Sequence, residues 1–240
     1  MELTVPVRGR NIFEDLPSGL LNGVNPYAQE LVEACQAQTL PLLYGPYLRE
    51  MKGSWKDLFA RQSCSRLIPE KLILEVGVHK GKTLLEMAEA FPSYGFIGLD
   101  VTFKRVVVTA RKARLRGLTN VLSVLADARM LGDLFGPREL GGCIVFFPDP
   151  WLKKKNQRHQ RIINEAFMRG LEPLLERPGF FWMKTDAGDY FHEGSAAAAR
   201  AGFLPAQGEQ IFPEGDWESS FELMFKRKKV PIDSGKWILF

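Results

Sequence analysis

Residues 143–164 read CIVFFPDPWLKKKNQRHQRIIN, and this stretch indicates the fold class. The apolar run from Ile144 to Phe147 has the length and composition of a strand that is buried on both faces, as in parallel sheets. The run stops at residues 148–151, which read PDPW. Two prolines in three residues fix φ and remove backbone donors, so Asp149 is predicted on a stiff loop at the carboxyl end of the strand. Open α/β sheets bind their ligands at that edge.

A basic segment follows this loop directly. It contains five cations and no acidic residue: Lys153, Lys154, Lys155, Arg158 and Arg161. One interpretation is a solvated basic start of a helix. The other is a patch that attracts polyanions beside a rigid carboxylate.

Composition narrows the class of protein. The chain has 240 residues, of which 45% are apolar and 25% charged, enough for one well-packed α/β domain with an N-terminal extension. The net charge of +4 is small, so any affinity for nucleic acid has to come from local clusters. No segment reaches the roughly 18 uninterrupted apolar residues of a membrane span, and the N-terminus lacks the pattern of a signal peptide. The sequence therefore predicts a cytoplasmic protein that is not bound to a membrane.

The cysteines and histidines predict neither disulfides nor a metal site. Three cysteines lie far apart without CxxC spacing, which fits a reducing compartment. The histidines are scattered and have no paired spacing for a metal. These six residues are Cys35, Cys64, Cys143, His79, His159 and His192.

A strand, glycine turn and helix begin the ordered core. Residues 72–76 form a short apolar run that leads into Gly77 and Gly81, and apolar residues at helical spacing follow from Leu84 to Phe91. Glycines in such a turn let the backbone approach a ligand, and the start of the helix presents free N–H groups. The unit predicts a nucleotide-like ligand.

Acidic residues close the next two predicted strands. Asp100 ends the run of residues 96–100, about 20 residues beyond the glycine turn, where a carboxylate accepts hydrogen bonds from ribose hydroxyls. NAD and S-adenosylmethionine both contain that ribose, so Asp100 does not choose between them. Asp127 follows the strand Val121 to Leu125, and two roles stay open for it: a contact to an adenine amino group, or a helix cap.

The remaining pattern alternates helices and strands. We expect helices after Asn25 and from about Ser54, from Thr102 to Arg116, from Gln160 to Leu175 and from Tyr190 to Ala201; strands from Phe180 to Lys184, Gln210 to Phe212 and Ser219 to Phe225. The last two are expected to form an antiparallel hairpin. The basic face of the helix ending near Arg116 is solvated or contacts phosphates in part. The predicted fold is a doubly wound, Rossmann-like α/β sheet, mostly parallel, with a C-terminal antiparallel hairpin. Residues 1–69 are expected to be an extension packed on the core domain of residues 70–240.

The FPDPW sequence followed by lysines and arginines resembles the signature of the bacterial-type tRNA (guanine-N7)-methyltransferases. The resemblance covers roughly Lys71 to Phe240 and implies a class I methyltransferase fold, S-adenosylmethionine as cofactor and tRNA as substrate. It also implies site residues, position by position. Cofactor contacts fall on Glu75, Gly77, Gly81, Asp100 and Asp127; the catalytic acid is Asp149; substrate contacts fall on Lys153, Asp186, Ser219, Phe221 and Glu222, the last three within the counterpart of the family's Thr-x-Phe-Glu segment.

The chain departs from the family pattern in three places. His79 stands where the family has glycine, the basic run is one residue longer with Leu152 in place of a frequent proline, and the first seventy residues do not match. Two alternatives therefore stay open: a methyltransferase that acts on another RNA or a small molecule, and a non-catalytic RNA-binding relative. The oligomeric state is open as well, a homodimer included.

Overall fold

The computed structural model describes residues 13–16, 25–62, 68–151, 155–206, 215 and 217–240. The chain forms two compact units, Met1–Gly136 and Pro137–Phe240. In the described residues, each unit contains four strands.

The first unit has four parallel strands in the order β1-β4-β3-β2. These are β1 (Leu42–Tyr44), β2 (Leu72–Val76), β3 (Gly95–Asp100) and β4 (Val121–Leu125). The helices are α1 (Pro26–Gln36), α2 (Trp55–Gln62), α3 (Lys82–Ala90), α4 (Phe103–Leu115) and α5 (Leu131–Leu134). Every residue of β2, β3 and β4 is buried, as the continuous apolar runs predict.

The helix boundaries in this unit follow from local chemistry. The Asn25 side chain accepts a hydrogen bond from the N–H of Tyr27 at 3.0 Å, and Pro26 occupies the first turn of α1. Gly117, with φ of +68°, follows the C-cap of α4. The predicted helices after Asn25, near Ser54 and up to Arg116 are confirmed.

The N-terminal residues contribute to the first unit's core. α1 buries Ala28 and Leu31 in a cluster that includes Val106 and Ala110 of α4. β1 pairs with β4 in parallel and was missed, because three residues carry too little periodicity to predict a strand. The proposed boundary at residue 69 stays a prediction.

The second unit has strands in the order β5-β6-β8-β7. These are β5 (Leu140–Phe146), β6 (Leu175–Thr185), β7 (Leu204–Pro205) and β8 (Asp233–Leu239). β5 and β6 are parallel, and β8 is antiparallel to both β6 and β7. The helices are α6 (Glu165–Leu171), α7 (Gly188–Arg200) and α8 (Ser220–Arg227).

The mostly parallel class with an antiparallel C-terminal part is confirmed, but the strands expected to form that part are not. The predicted strand from Ser219 to Phe225 is wrong, because these residues start α8: the Ser219 hydroxyl accepts a hydrogen bond from the N–H of Glu222 at 3.1 Å and caps the helix. The partner strand from Gln210 to Phe212 lies outside the described residues. The antiparallel strands are instead β7 and β8.

The predicted helix from Gln160 to Leu175 is too long. A 3-10 helix, Lys155–Gln160, comes first, and α6 begins only after Asn164, whose side chain accepts a hydrogen bond from the N–H of Phe167 at 3.0 Å. A second 3-10 turn, Glu172–Leu174, ends the helical part, so β6 starts earlier than Phe180.

Candidate functional site

Three strand ends meet at one edge of the first unit. The register pairs Val76 with Leu99 and Asp100 with Leu125. The N–H of Gly77 donates to the carbonyl of Leu99 at 2.7 Å, so the glycine turn starts level with the end of β3. Ala126 donates to the carbonyl of Asp100 at 3.1 Å, which places Asp127 next along the edge. The structure thus brings the predicted cofactor residues of this unit to one edge.

The turn between β2 and α3 has a left-handed backbone at three positions. φ is +81° at Gly77, +49° at His79 and +70° at Gly81. A Cβ at residue 81 would lie 2.8 Å from the Thr109 side chain, whereas one at residue 77 would meet no atom of the described residues within 4 Å. Gly81 therefore permits α3 to start against α4, and the space over Gly77 stays open for a ligand.

Asp100 is buried at 3% exposure, and its carboxylate is hydrogen-bonded by neighbouring residues. Its carboxylate accepts from the N–H of Thr102 at 3.0 Å and lies 3.5 Å from a guanidinium nitrogen of Arg105. Burial raises the pKa of Asp100, while the Arg105 charge and the Thr102 hydrogen bond act in the opposite direction. The carboxylate also accepts hydrogen bonds from the Thr102 hydroxyl and from the N–H of His79 in the glycine turn, so ribose hydroxyls that bind here take the place of some of these donors or share acceptor oxygens with them.

Asp127 caps the 3-10 helix Ala128–Met130. Its carboxylate accepts from the N–H of Arg129 at 3.0 Å and lies 3.6 Å from the Arg129 guanidinium. The capping interpretation is confirmed, and a contact to adenine stays a prediction.

Glu75 on β2 is buried at 4% exposure, and its pKa is strongly shifted. Burial raises its pKa to about 8; a hydrogen bond from the Leu84 N–H opposes this rise, and the nearby Asp100 charge adds to it. Among the residues that the structure describes, its Oε2 has no hydrogen-bond partner. A buried polar atom of this kind is a place where a ligand can supply the missing partner.

Replacing Glu75 with glutamine is expected to change how stability depends on pH. The folded-state pKa of about 8 lies above the usual value of 4.5. The native state therefore holds the proton more tightly, and the wild type loses stability as pH rises from about 4.5 to 8. Glu75→Gln lacks this loss, which is on the order of a few kcal/mol. Urea unfolding of both proteins at pH 6 and pH 8.5 measures it; equal pH slopes would show that Glu75 ionises normally.

The Asp149 loop in the second unit is fixed at both ends. Phe147 follows β5 with φ of +52°, and its N–H donates to the carbonyl of Lys184 at 2.7 Å. Trp151 closes the segment with φ of +50°. Between these turns the Asp149 side chain is exposed to solvent. The prolines and the two turns hold this carboxylate at the carboxyl end of β5, as predicted.

Arg161 links the Asp149 loop to α7 through hydrogen bonds and ion pairs. Its Nε donates to the carbonyl of Pro150 at 2.9 Å, and its other nitrogens pair with Asp189 at 2.9 Å and Glu193 at 2.6 Å. The guanidinium also lies 4.7 Å from the Tyr190 ring centroid. With 2% of its surface exposed, Arg161 is a structural tie between the loop and α7.

The predicted polyanion patch is therefore wrong for its two arginines. Arg161 is buried, and Arg158 pairs with Asp189 at 3.1 Å and with Glu193 at 3.3 Å. Two carboxylates from α7 offset both charges. Because α7 lies about 30 residues further along the chain, the sequence of the basic segment alone could not reveal these ion pairs. Lys153 and Lys154 lie outside the described residues, as does the side chain of Lys155.

Basic side chains of α4 and its C-cap also form ion pairs and hydrogen bonds within the protein. Arg111 pairs with Glu30, Arg116 lies 3.3 Å from Glu89, and Lys112 donates to the carbonyl of Lys80 at 2.7 Å. These contacts favour the solvated, ion-paired interpretation of this face over phosphate binding.

A buried ion pair lies at the end of β6 and was missed. Lys184, at 2% exposure, donates to Glu222 at 2.8 Å and to the carbonyl of Trp217 at 3.0 Å. Its ammonium lies 5.0 Å from the Phe146 ring centroid. A lysine at the end of the apolar run FFWMK was the signal that could have revealed it.

The substrate residues predicted in α8 have structural partners. Ser219 caps the helix, and Glu222 is bound by Lys184 and, at 3.2 Å, by Lys226. Phe221 is half-buried, with its ring centroid 6.3 Å from that of Phe147. Asp186 is half-buried just after β6. Contacts of these residues to a substrate stay predictions.

Comparison with known proteins identifies the family of this chain. A family model described as "Putative methyltransferase" matches residues 69–219. The tRNA (guanine-N(7)-)-methyltransferase of Bacillus licheniformis is 30% identical over 188 residues, which cover 76% of this chain and 84% of that protein. The chain belongs to the tRNA (guanine-N7)-methyltransferase family.

Two further matches, one in sequence and one in structure, are to other methyltransferases. A bifunctional glycosyltransferase/methyltransferase of Fusobacterium nucleatum subsp. nucleatum is 28% identical over 146 residues, or 61% of this chain; the chain spans only 21% of that protein. A crystal structure of the 16S rRNA methyltransferase KamB has a TM-score of 0.57 at 18% identity and covers 79% of this chain and 94% of that one. The second match confirms the Rossmann-like class I methyltransferase fold.

The described residues of this methyltransferase contain neither a cluster of possible metal ligands nor a helix that could span a membrane. No group of three or more His, Cys, Asp or Glu side chains there lies close enough to hold a metal ion. None of the helices described is both long and apolar enough to cross a bilayer.

Proposed function

We propose that this chain transfers a methyl group from S-adenosylmethionine to N7 of a guanine in tRNA. The observation that carries the proposal is the match to a tRNA (guanine-N(7)-)-methyltransferase along 76% of the chain. The carboxylates at the strand ends of the first unit and the fixed Asp149 loop of the second fit that reaction.

The first unit is proposed to hold the cofactor. Asp100 accepts hydrogen bonds from the ribose hydroxyls, Asp127 accepts one from the adenine amino group, and the backbone between Gly77 and Gly81 receives the methionine end. The Oε2 of Glu75 gains a hydrogen-bond partner from that end. When bound, S-adenosylmethionine supplies an electrophilic methyl group next to this edge.

The second unit is proposed to hold the guanine. N7 of guanine has an in-plane lone pair that is unprotonated at neutral pH, so the reaction needs positioning more than a strong base. Asp149 accepts hydrogen bonds from the guanine N1–H and amino group and stabilises the positive charge that develops on the purine. The tie through Arg161 keeps this carboxylate in one place before the substrate arrives. The remaining substrate contacts are assigned to Lys153, Asp186, Ser219, Phe221 and Glu222.

Location, assembly and domain division complete the proposal. The site of action is the cytoplasm, where tRNA is available. Residues 1–69 form an extension of the catalytic domain of residues 70–240. A homodimer stays a prediction that sedimentation equilibrium measures.

The substrate class is tested by supplying labelled S-adenosylmethionine with three acceptors in parallel: unmodified tRNA transcripts, a 16S ribosomal RNA fragment, and a nucleoside mixture. We expect label in the tRNA alone. Label only in the other two acceptors would assign a different methyltransferase. Calorimetry with S-adenosylmethionine covers the non-catalytic case, in which no binding heat appears.

A further inference from the structure

Four consecutive cations occupy the C-terminal end of α8. Lys226, Arg227, Lys228 and Lys229, here called the α8 basic cluster, are all exposed. Elsewhere the strong basic segments of the described chain are bound to carboxylates or carbonyls, as shown for Arg158, Arg161 and α4. The α8 basic cluster is different.

The ion pairs of the cluster stop at its first residue. Lys226 lies 2.6 Å from Glu218 and 3.2 Å from Glu222. For Arg227, Lys228 and Lys229, no ion pair is formed with any residue that the structure describes. Three adjacent positive charges therefore face solvent, and no acidic side chain of the described residues pairs with them, which favours a local field that attracts polyanions.

Lys229 has a backbone conformation that is unfavourable for any residue with a side chain. α8 ends in a Schellman motif, in which Val230 donates to the carbonyl of Phe225 at 3.0 Å and Lys229 donates to that of Lys226 at 3.1 Å. Lys229 occupies the left-handed position of this motif, with φ of +54°. Glycine is preferred there because a Cβ is disfavoured in this conformation. The helix dipole favours cations in the last turn, yet it does not require one at this left-handed residue.

α8 connects the cluster with the Asp149 loop. The ring centroid of Phe225 lies 5.4 Å from that of Phe147, the residue before the loop, and Phe221 packs against both rings. The cluster begins one residue after Phe225. Because Phe225 contacts the residue that precedes the loop, backbone phosphates next to a guanine bound at the loop are expected within reach of the cluster.

We propose that the α8 basic cluster binds the phosphate backbone of the RNA beside the target guanine. This inference rests on the proposed function and adds the surface on which the tRNA is held. Phosphate contacts of this kind position the RNA and add affinity without reading its sequence.

The test uses Lys229→Gly and the triple variant R227Q/K228Q/K229G of the full chain. Lys229→Gly is expected to raise Tm by a few degrees, because glycine suits the left-handed position, and to weaken tRNA binding about twofold to fivefold. For the triple variant, Kd for tRNA is expected to rise at least about tenfold at 0.1 M salt, and the slope of log K against log salt to fall by about 2 to 3. Arg169→Gln removes one exposed, ion-paired charge and serves as the control.

Filter binding at several salt concentrations measures these effects, and methyl transfer is followed in the same samples. If the triple variant binds tRNA with the wild-type Kd and salt slope, the inference is overturned, while methylation of tRNA by the wild type would keep the proposed function intact. If the wild type methylates no tRNA, the proposed function fails, and the binding data still decide the inference.

Discussion

Replacing Asp149 with alanine is expected to lower the rate of methyl transfer at least about 100-fold, the size typical for loss of one preorganised group that stabilises transition-state charge. Affinity for S-adenosylmethionine should stay within about twofold of the wild type, because the proposed cofactor residues lie at the strand ends of the first unit. Single-turnover transfer to tRNA and calorimetry with the cofactor measure the two quantities separately.

Asp149→Asn is the matched variant. It preserves the size of the side chain and one acceptor oxygen but removes the charge, so we expect an intermediate rate. Turnover equal to the wild type in both variants would remove Asp149 from the mechanism. A parallel loss of cofactor binding would indicate that the substitution disturbs the fold.

Breaking the buried pair between Lys184 and Glu222 is expected to have the largest effect on stability. Lys184→Met leaves Glu222 with the exposed Lys226 alone, and Glu222→Gln leaves a buried ammonium without its carboxylate. Removing one partner of a buried pair costs about 3 to 5 kcal/mol. Both single variants should therefore unfold at clearly lower urea concentration.

The double variant K184M/E222L separates the pair from its surroundings. Because no unpaired charge remains, its free energy of unfolding is expected to lie closer to the wild type than that of either single variant. Single variants within about 1 kcal/mol of the wild type would mean that water reaches the pair and screens it. Guanidinium unfolding gives an independent check on the ranking.

The parts of the fold that were predictable share a local cause. β2, β3 and β4 are buried along their whole length, so their apolar runs are continuous and stop where the strands stop. Asp100 and Asp127 were placed at the ligand edge because parallel strands end together. These features need only neighbouring residues for their interpretation.

The errors come from ambiguous periodicity and distant partners. Phe221, Leu223 and Phe225 satisfy both a two-residue and a four-residue repeat, and only the Ser219 cap decides for a helix. β8 was missed because Asp233, Ser234 and Lys236 interrupt its apolar pattern.

Arg161 was misjudged, and the ion pair of Lys184 was missed, for another reason. Their partners Asp189, Glu193 and Glu222 lie 28, 32 and 38 residues away along the chain. A basic residue in a linear segment looks available for RNA, whereas the fold determines whether a carboxylate neutralises it.

The chemical identity of the methylated base decides whether the enzyme methylates guanine at N7. tRNA labelled by the wild type is digested to nucleosides and separated by liquid chromatography with mass detection. We expect the label to be recovered as 7-methylguanosine. Recovery of the label as any other methylated nucleoside would contradict it.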